Sequence, residues 1–307
     1  MGDQYGMAAT YHHLAYVAIL QVNVNLAASM YEEILPLYTA VGNKSGMVSI
    51  LIWLGRMALA QGNHEQAVRQ SNQALALAQD IPDRALVAET QKLLGEIALS
   101  QGEYEQAAWH DDEALTLYGE LGEKSVSADV LCGLGHVALA QGDPAQATER
   151  FEEALTIGRK LEDKFNIANA LSGLAQVALA RSDYASAYAL CKEVLVLLHG
   201  THDQWEWVRS LNAFAVAAIA LGQARQTVRL FGAIESLYGQ IRWTQSPLER
   251  DAHVRAVAGV RSQLDEATFV AEWVRGAAMT LDEAVAFALA VNENQAAEHA
   301  EQTPPSV

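Results

Sequence analysis

Cysteine, proline and positive charge are all scarce in this sequence, and each shortage excludes something. Two cysteines, Cys132 and Cys191, are too few and too far apart for a disulfide framework or a paired-thiol zinc site, so a reducing cytoplasm is the expected compartment. Six prolines against 51% apolar residues rule out a largely disordered chain. Lysine and arginine total 20 against 37 acidic residues, giving a net charge of -17, which disfavours a partner made of phosphates or anionic lipid. Neither nucleic acid nor a membrane surface is therefore an expected partner. Long apolar runs are missing as well: the most apolar stretch, Leu14 to Met30, is broken by Gln21, Asn23, Asn25 and Ser29, and the N-terminus lacks the order of a signal peptide. The 307 residues leave room for about two average domains or one long repeat array.

A repeat is what the sequence contains. The segment from Leu54-Gly55 to Gln61-Gly62 recurs as Leu94-Gly95 to Gln101-Gly102 and again as Leu134-Gly135 to Gln141-Gly142, with a period of 40. Weaker copies keep the phase at Leu14, Leu174 and Phe214, making six units without an insertion. A second block follows each first one, at Ile34-Leu35, Ala74-Leu75, Ala114-Leu115, Ala154-Leu155, Val194-Leu195 and Ile234. Apolar residues within a unit keep helical spacing, as at Leu51, Leu54 and Ala58, then Ala67, Ser71, Ala74 and Ala78. Gly62, Gly102 and Gly142 supply left-handed helix ends before residues that open the next helix. Neither helix of such a hairpin covers its apolar stripe alone, so neighbouring hairpins must stack. The expected fold is all-α, a right-handed α-α superhelix of about six helix-turn-helix repeats with a C-terminal helical cap.

These residues carry a family resemblance. Leu-Gly in the first helix, Gly at the turn, and alanine pairs such as Ala67 with Ala74, Ala107 with Ala114 and Ala147 with Ala154 resemble the tetratricopeptide pattern. The 40-residue period exceeds the usual 34 and implies slightly longer helices, similar to the sensor arms of bacterial signalling ATPases and transcriptional activators. The resemblance covers the array at residues 6–240. Residues 241–291 read as capping helices: Ser246-Pro247-Leu248-Glu249 and Thr280-Leu281-Asp282-Glu283 are helix starts, and Ala267, Phe269, Val270, Trp273 and Val274 form an apolar stripe between them. The run Leu230-Phe231-Gly232-Ala233, followed by Phe269, Trp273, Gly276 and Leu281 to Val285, is similar to the closing segment of such regulators. Residues 292–307, polar and containing Pro304-Pro305, read as a disordered tail.

Residues 4–31 contain no Asp, Glu, Lys or Arg, although a terminal repeat facing water carries a polar outer face. Upstream domains or a self-paired homodimer would cover them; the alternative is that Asn, Gln, Ser and His supply enough polarity.

The tetratricopeptide resemblance places the first helices along a concave groove, whose columns follow by adding 40. One column is Tyr16, Arg56, Glu96, His136, Gln176 and Val216; a second is Ser49, Glu89, Asp129, Asn169 and Arg209; a third is His12, Ile52, Lys92, Cys132, Ser172 and Asn212. Framework positions repeat almost unchanged while these vary in size and charge, as expected of a groove that recognises a protein, a peptide or a small effector; a solvated helix face free to drift would also vary. The leading expectation is a non-catalytic binding module, the sensor or interaction arm of a bacterial signalling ATPase or transcription regulator. The rival is a stand-alone homodimeric scaffold.

No catalytic constellation emerges. His199, His202 and Asp203, or His110 before Asp111-Asp112, offer a metal reading that loop composition explains as well. Gly119 to Ser125 lacks the Gly-Lys step of a phosphate loop. No cofactor is expected. Trp205 and Trp207, two apart, cannot share a helix face, and packing against the cap is the expected fate.

Overall fold

A computed structural model describes Thr10, Tyr11, Leu14, Ala15, Ala18 and residues 24–198, 204–241 and 247–290. Every regular element among these described residues is α-helical. In chain order they are α1 (Val24–Ala40), α2 (Lys44–Ala60), α3 (His64–Gln79), α4 (Arg84–Gln101), α5 (Tyr104–Leu121), α6 (Lys124–Ala140), α7 (Pro144–Leu161), α8 (Lys164–Ala180), α9 (Tyr184–Leu197), α10 (Gln204–Ala220), α11 (Ala224–Ile241), α12 (Pro247–Arg261), α13 (Glu266–Ala277) and α14 (281–290). The expected all-α fold of helix-turn-helix repeats is therefore present, without strands among the described residues. The chain forms two compact units, one of described residues up to Asn166 and one from Ile167 onward.

The turns have a rule finer than the repeat. Asn43, Asn63, Asp83, Glu103, Glu123, Asp143, Asp163 and Asp183 stand 20 apart, each opening a helix. The residue before most of them is left-handed: Gly62 has φ 73° and Gly142 φ 82°, a conformation in which only glycine avoids a β-carbon clash. Glu162 and Ser182 adopt it too, at φ 55° and 59°. The opening residue then serves two helices. Its backbone N–H closes the preceding one, as Asn63 N does to Ala58 O at 2.8 Å and Asp143 N to Ala138 O at 2.9 Å. Its side chain caps the next: Asp143 accepts from the N–H groups of Ala145 and Gln146 at 3.1 and 2.9 Å. Glu103 and Glu123, one methylene longer, make no such side-chain cap.

In the N-terminal unit, α2 pairs with α3, α4 with α5 and α6 with α7, and first helices touch first helices of the next repeat. The glycine of each Leu-Gly step lets its partner helix approach. A β-carbon at Gly55 would lie 2.9 Å from Ser71 Oγ, and one at Gly135 would lie 2.7 Å from Phe151 Cε1. The paired alanines Ala67 and Ala74, Ala107 and Ala114, and Ala147 and Ala154 are fully buried, as their spacing requires. Ala15 and Ala18 pack with Ala27, Tyr31, Ile34, Ile50, Leu54 and Met57 in one core cluster.

In the C-terminal unit, α12, α13 and α14 follow the last hairpin as the expected cap helices. Thr280 and Glu283 close the anticipated capping box, with Thr280 N donating to Glu283 Oε2 at 2.8 Å and Glu283 N to Thr280 Oγ1 at 3.3 Å. Ser246 lies outside the described residues. The stripe expected on α13 needs correction: Phe269 is buried, but Val270 and Val274 are 47% and 61% exposed. Phe269, Trp273 and Gly276 occupy one face at i, i+4 and i+7, and that face meets α11, which leaves the two valines outside it. Trp207 is buried, while the side chain of Trp205 lies outside the description. Residues 292–307 also lie outside it.

Candidate partner-binding face

Two of the three columns lie half-buried on the first helices: Ser49, Glu89, Asp129, Asn169 and Arg209, and Arg56, Glu96, His136 and Gln176. The third turns inward. Ile52, Cys132, Ser172 and Asn212 are buried, and Lys92 alone reaches the surface, with 14% of its side chain exposed. His12 and Tyr16 lie outside the described residues. Sequence spacing placed all three columns on one side; a helix has only one outermost row, and the inner column becomes the packing layer beneath it.

The N-terminal unit gathers the charges. Arg56 on α2 pairs with Glu89 on α4 at 3.5 Å and lies over the Trp53 ring, 5.3 Å from its centre. Trp53 in turn stacks on Tyr31 at 5.9 Å with the planes 9° apart. Lys92 on α4 bonds Glu96 one turn along at 2.5 Å and Asp129 on α6 at 2.8 Å. Burial alone would lower the Lys92 pKa, but Glu96 and Asp129 raise it well above the usual lysine value. Burial, with Glu89 beside it, pushes the Tyr118 phenol up to about 12. His136 meets the Phe151 ring edge-on at 5.0 Å.

Beneath this row lies a carboxylate that column reading missed. Asp111 on α5 is 3% exposed, at the position that Ser71, Phe151, Cys191 and Phe231 fill in other repeats. A β-carbon at Gly133 on α6 would stand 2.8 Å from its Oδ2, so glycine there makes room for the carboxylate. Burial, then Glu96, Asp129 and Asp112, raise the Asp111 pKa well above the usual range, against the pull of Lys92. Trp53 was missed as well, although a tryptophan where other repeats carry Leu93, Gly133 and Ala213 is a visible signal.

Other candidates resolve into structural pairs. His110 Nδ1 lies 2.7 Å from Gln91 Oε1, and burial lowers its pKa. No group of three or more His, Cys, Asp or Glu residues able to hold a metal occurs among the described residues. His199, His202 and Asp203 lie outside them. In the C-terminal unit Arg209 donates to Asn169 Oδ1 at 2.9 Å, and Ser172 and Ser210 hydroxyls meet at 3.3 Å. Asn212 is taken up by the cap: its Oδ1 lies 2.6 Å from His253 Nδ1, and His253 Nε2 lies 2.9 Å from Glu235. No helix among the described residues is long and apolar enough to cross a membrane.

The sequence profile of the tetratricopeptide repeat matches residues 6–80, 46–120, 86–160 and 126–198, successive matches advancing by the same 40 residues as the internal repeat. None of the curated proteins compared matches the chain. Among solved structures, a Rap protein complexed with Competence and Sporulation Factor is 14% identical, with a TM-score of 0.63 over 98% of this chain and 88% of that one. A signal transduction ATPase with numerous domains, bearing a tetratricopeptide repeat sensor, from Pyrococcus horikoshii is also 14% identical, with a TM-score of 0.58; the match covers 88% of this chain and 41% of that one. BtubC from P. vanneervenii is 16% identical, with a TM-score of 0.51 over 80% of this chain and 92% of that one. At these identities the likeness is one of fold.

Proposed function

Because the chain belongs to the tetratricopeptide repeat family, we propose that the half-buried row on its first helices binds a protein segment, a peptide or a small effector, without catalysis. The observation that carries this reading is the charge variation set into an unvarying frame. Arg56, Glu89, Lys92, Glu96 and Asp129 sit on α2, α4 and α6, where the surrounding Leu-Gly and Ala positions repeat. The wider role is the sensor or interaction arm of a bacterial, cytoplasmic signalling ATPase or transcription regulator. Its support is the fold shared with an ATPase whose repeat is described as a sensor and with a Rap protein complexed with a factor.

The test is a charge swap. Arg56→Glu with Glu89→Lys keeps their pair with its signs exchanged, and Ser49→Glu and His136→Glu alter the rest of the row, leaving Lys92, Glu96 and Asp129 in place. Capture of partners from the source cell, identified by mass spectrometry, should be lost while the melting temperature stays unchanged. Loss of both together means a purely structural role for the row.

A second reading, a homodimeric scaffold joined through residues 4–31, is favoured by one observation: Leu14 and Leu26 are 48% and 41% exposed beside a core cluster. Light scattering that finds only monomer across a wide concentration range removes it.

A further inference from the structure

The C-terminal unit holds a concentration of positive charge that its own packing does not use up. Glu272 on α13 has a side chain only 1% exposed, and three guanidinium groups converge on it. Arg225 Nε donates to its Oε1 at 3.0 Å and Arg275 Nη1 to the same oxygen at 2.9 Å. Arg229 donates to Oε2 through Nε at 2.8 Å and through Nη2 as well. Burial works against ionisation of Glu272, yet the hydrogen bonds from Arg229 and Arg225 and the charges of Arg229 and Arg275 outweigh it, holding the pKa below the usual carboxylate range. One arginine would neutralise one carboxylate. Three leave a surplus of two positive charges in a chain whose net charge is -17.

Two of the three arginines, Arg225 and Arg229, face an open pocket, while Arg275 holds Glu272 without lining it. Arg225, Gln226, Arg229, Glu272 and Phe287 line it. Arg229 lies over the Phe287 ring, 4.9 Å from its centre, and its two bonds to Glu272 fix its direction. Arg225 spends only its Nε on Glu272; its two terminal nitrogens have no partner among the described residues, and its side chain is 66% exposed. Arg225 and Gln226 belong to the first turn of α11, which carries no acidic residue, so the positive end of that helix adds to the field.

We propose that this pocket binds a phosphate group. A phosphate monoester carries about -1.5 to -2 charges near neutral pH and offers three acceptor oxygens, which suit the unused planar donors of Arg225 beside Arg229. A carboxylate offers only two acceptor oxygens and so engages fewer of these donors. The site is separate from the row on α2, α4 and α6 and does not depend on it.

The experiment titrates the full chain with inorganic phosphate and, separately, with O-phosphoserine, by calorimetry at constant ionic strength with chloride as the reference anion. Saturable binding with a Kd on the order of 1 mM or below is expected for at least one of them. Tighter binding of phosphoserine supports a ligand that carries the group; tighter binding of inorganic phosphate supports the free ion. Arg225→Gln should weaken binding roughly tenfold or more, the loss of a charge-assisted hydrogen bond, while Arg229 and Arg275 still hold Glu272 and the circular dichroism spectrum stays that of the native protein. Arg225→Lys should restore only part, because an ammonium lacks the planar fork. Absence of saturable binding by both probes, or equal binding by native protein and Arg225→Gln, overturns the proposal.

Discussion

Lys92 on α4 donates to Asp129 on α6 across 2.8 Å, so that two successive repeats are tied by a side chain only 14% exposed. Glu96 and Asp129 both bond this ammonium, and Asp111 senses it from below. Lys92→Met keeps most of the volume and removes the charge. The expected cost is about 1.5–3 kcal/mol, because Glu96 and Asp129 each lose a charge-assisted hydrogen bond from a nearly buried ammonium. Chemical denaturation checks it. A loss under roughly 1 kcal/mol would make the bond an ordinary surface pair.

Asp111 makes stability depend on pH. Its pKa is raised, so the folded chain holds a proton that the unfolded chain has already released. The folded state then binds more protons, and the contribution is fully present below the unfolded value of about 3.9 and is lost as pH rises through the folded value. Asp111→Asn keeps the shape without the ionisation. It should flatten this part of the pH profile and stabilise the protein near neutral pH by roughly 1–3 kcal/mol. Urea titrations of both proteins at several pH values decide it; parallel profiles would show that Asp111 titrates as an ordinary carboxylate.

Ser182 and Glu162 hold left-handed backbone where other turns carry glycine. Ser182→Gly and Glu162→Gly should each raise stability by about 0.5–1 kcal/mol, the relieved strain exceeding the entropy that glycine adds to the unfolded chain. Glu123→Asp acts at the adjacent position, where the shorter side chain reaches the N–H groups that Asp143 and Asp163 reach in their own turns. A similar gain of about 0.5–1 kcal/mol is expected. Melting temperatures of the three single variants test this, and a fall in any of them counts against the turn rule.

The frame was legible because it repeats: period, hairpins, turn glycines and buried alanine pairs all follow from adding 40 to a residue number. What lies between repeats was not. Arg56 with Glu89 and Lys92 with Asp129 join different columns of neighbouring helices, and such pairing depends on how far one helix is rotated against the next. The inward turn of Cys132, Ser172 and Asn212 depends on the same rotation. Asp111 is the one charge in a packing column, a signal that column reading passed over, and its burial requires Gly133 opposite. Glu272 and Arg275 fall outside the repeat, where no second copy exists to compare, and Arg225 and Arg229, on the last helix of the array, meet Glu272 only through the cap.

Gly232 and Gly276, both visible in the closing segment, show how close the cap comes. A β-carbon on Gly276 would collide with the carbonyl oxygen of Arg229 on α11, and one on Gly232 with the carbonyl of Trp273 on α13. The obstacle in each case is backbone, which cannot rotate aside as a side chain does, so the helices must part. Parting them pulls Glu272 away from Arg225 and Arg229 and exposes Phe269. Gly276→Ala should therefore cost about 3 kcal/mol or more, against a gain of about 1 kcal/mol from the better helix former. Gly259→Ala on α12 is the control, since nothing lies within 4 Å of its added β-carbon; it should stabilise the protein by roughly 0.5–1 kcal/mol. Hydrogen exchange locates the effect: protection should fall over α13 and α14 in Gly276→Ala while α4 to α6 keep theirs. If the two alanine variants melt alike, the close crossing of α11 and α13 does not hold the cap.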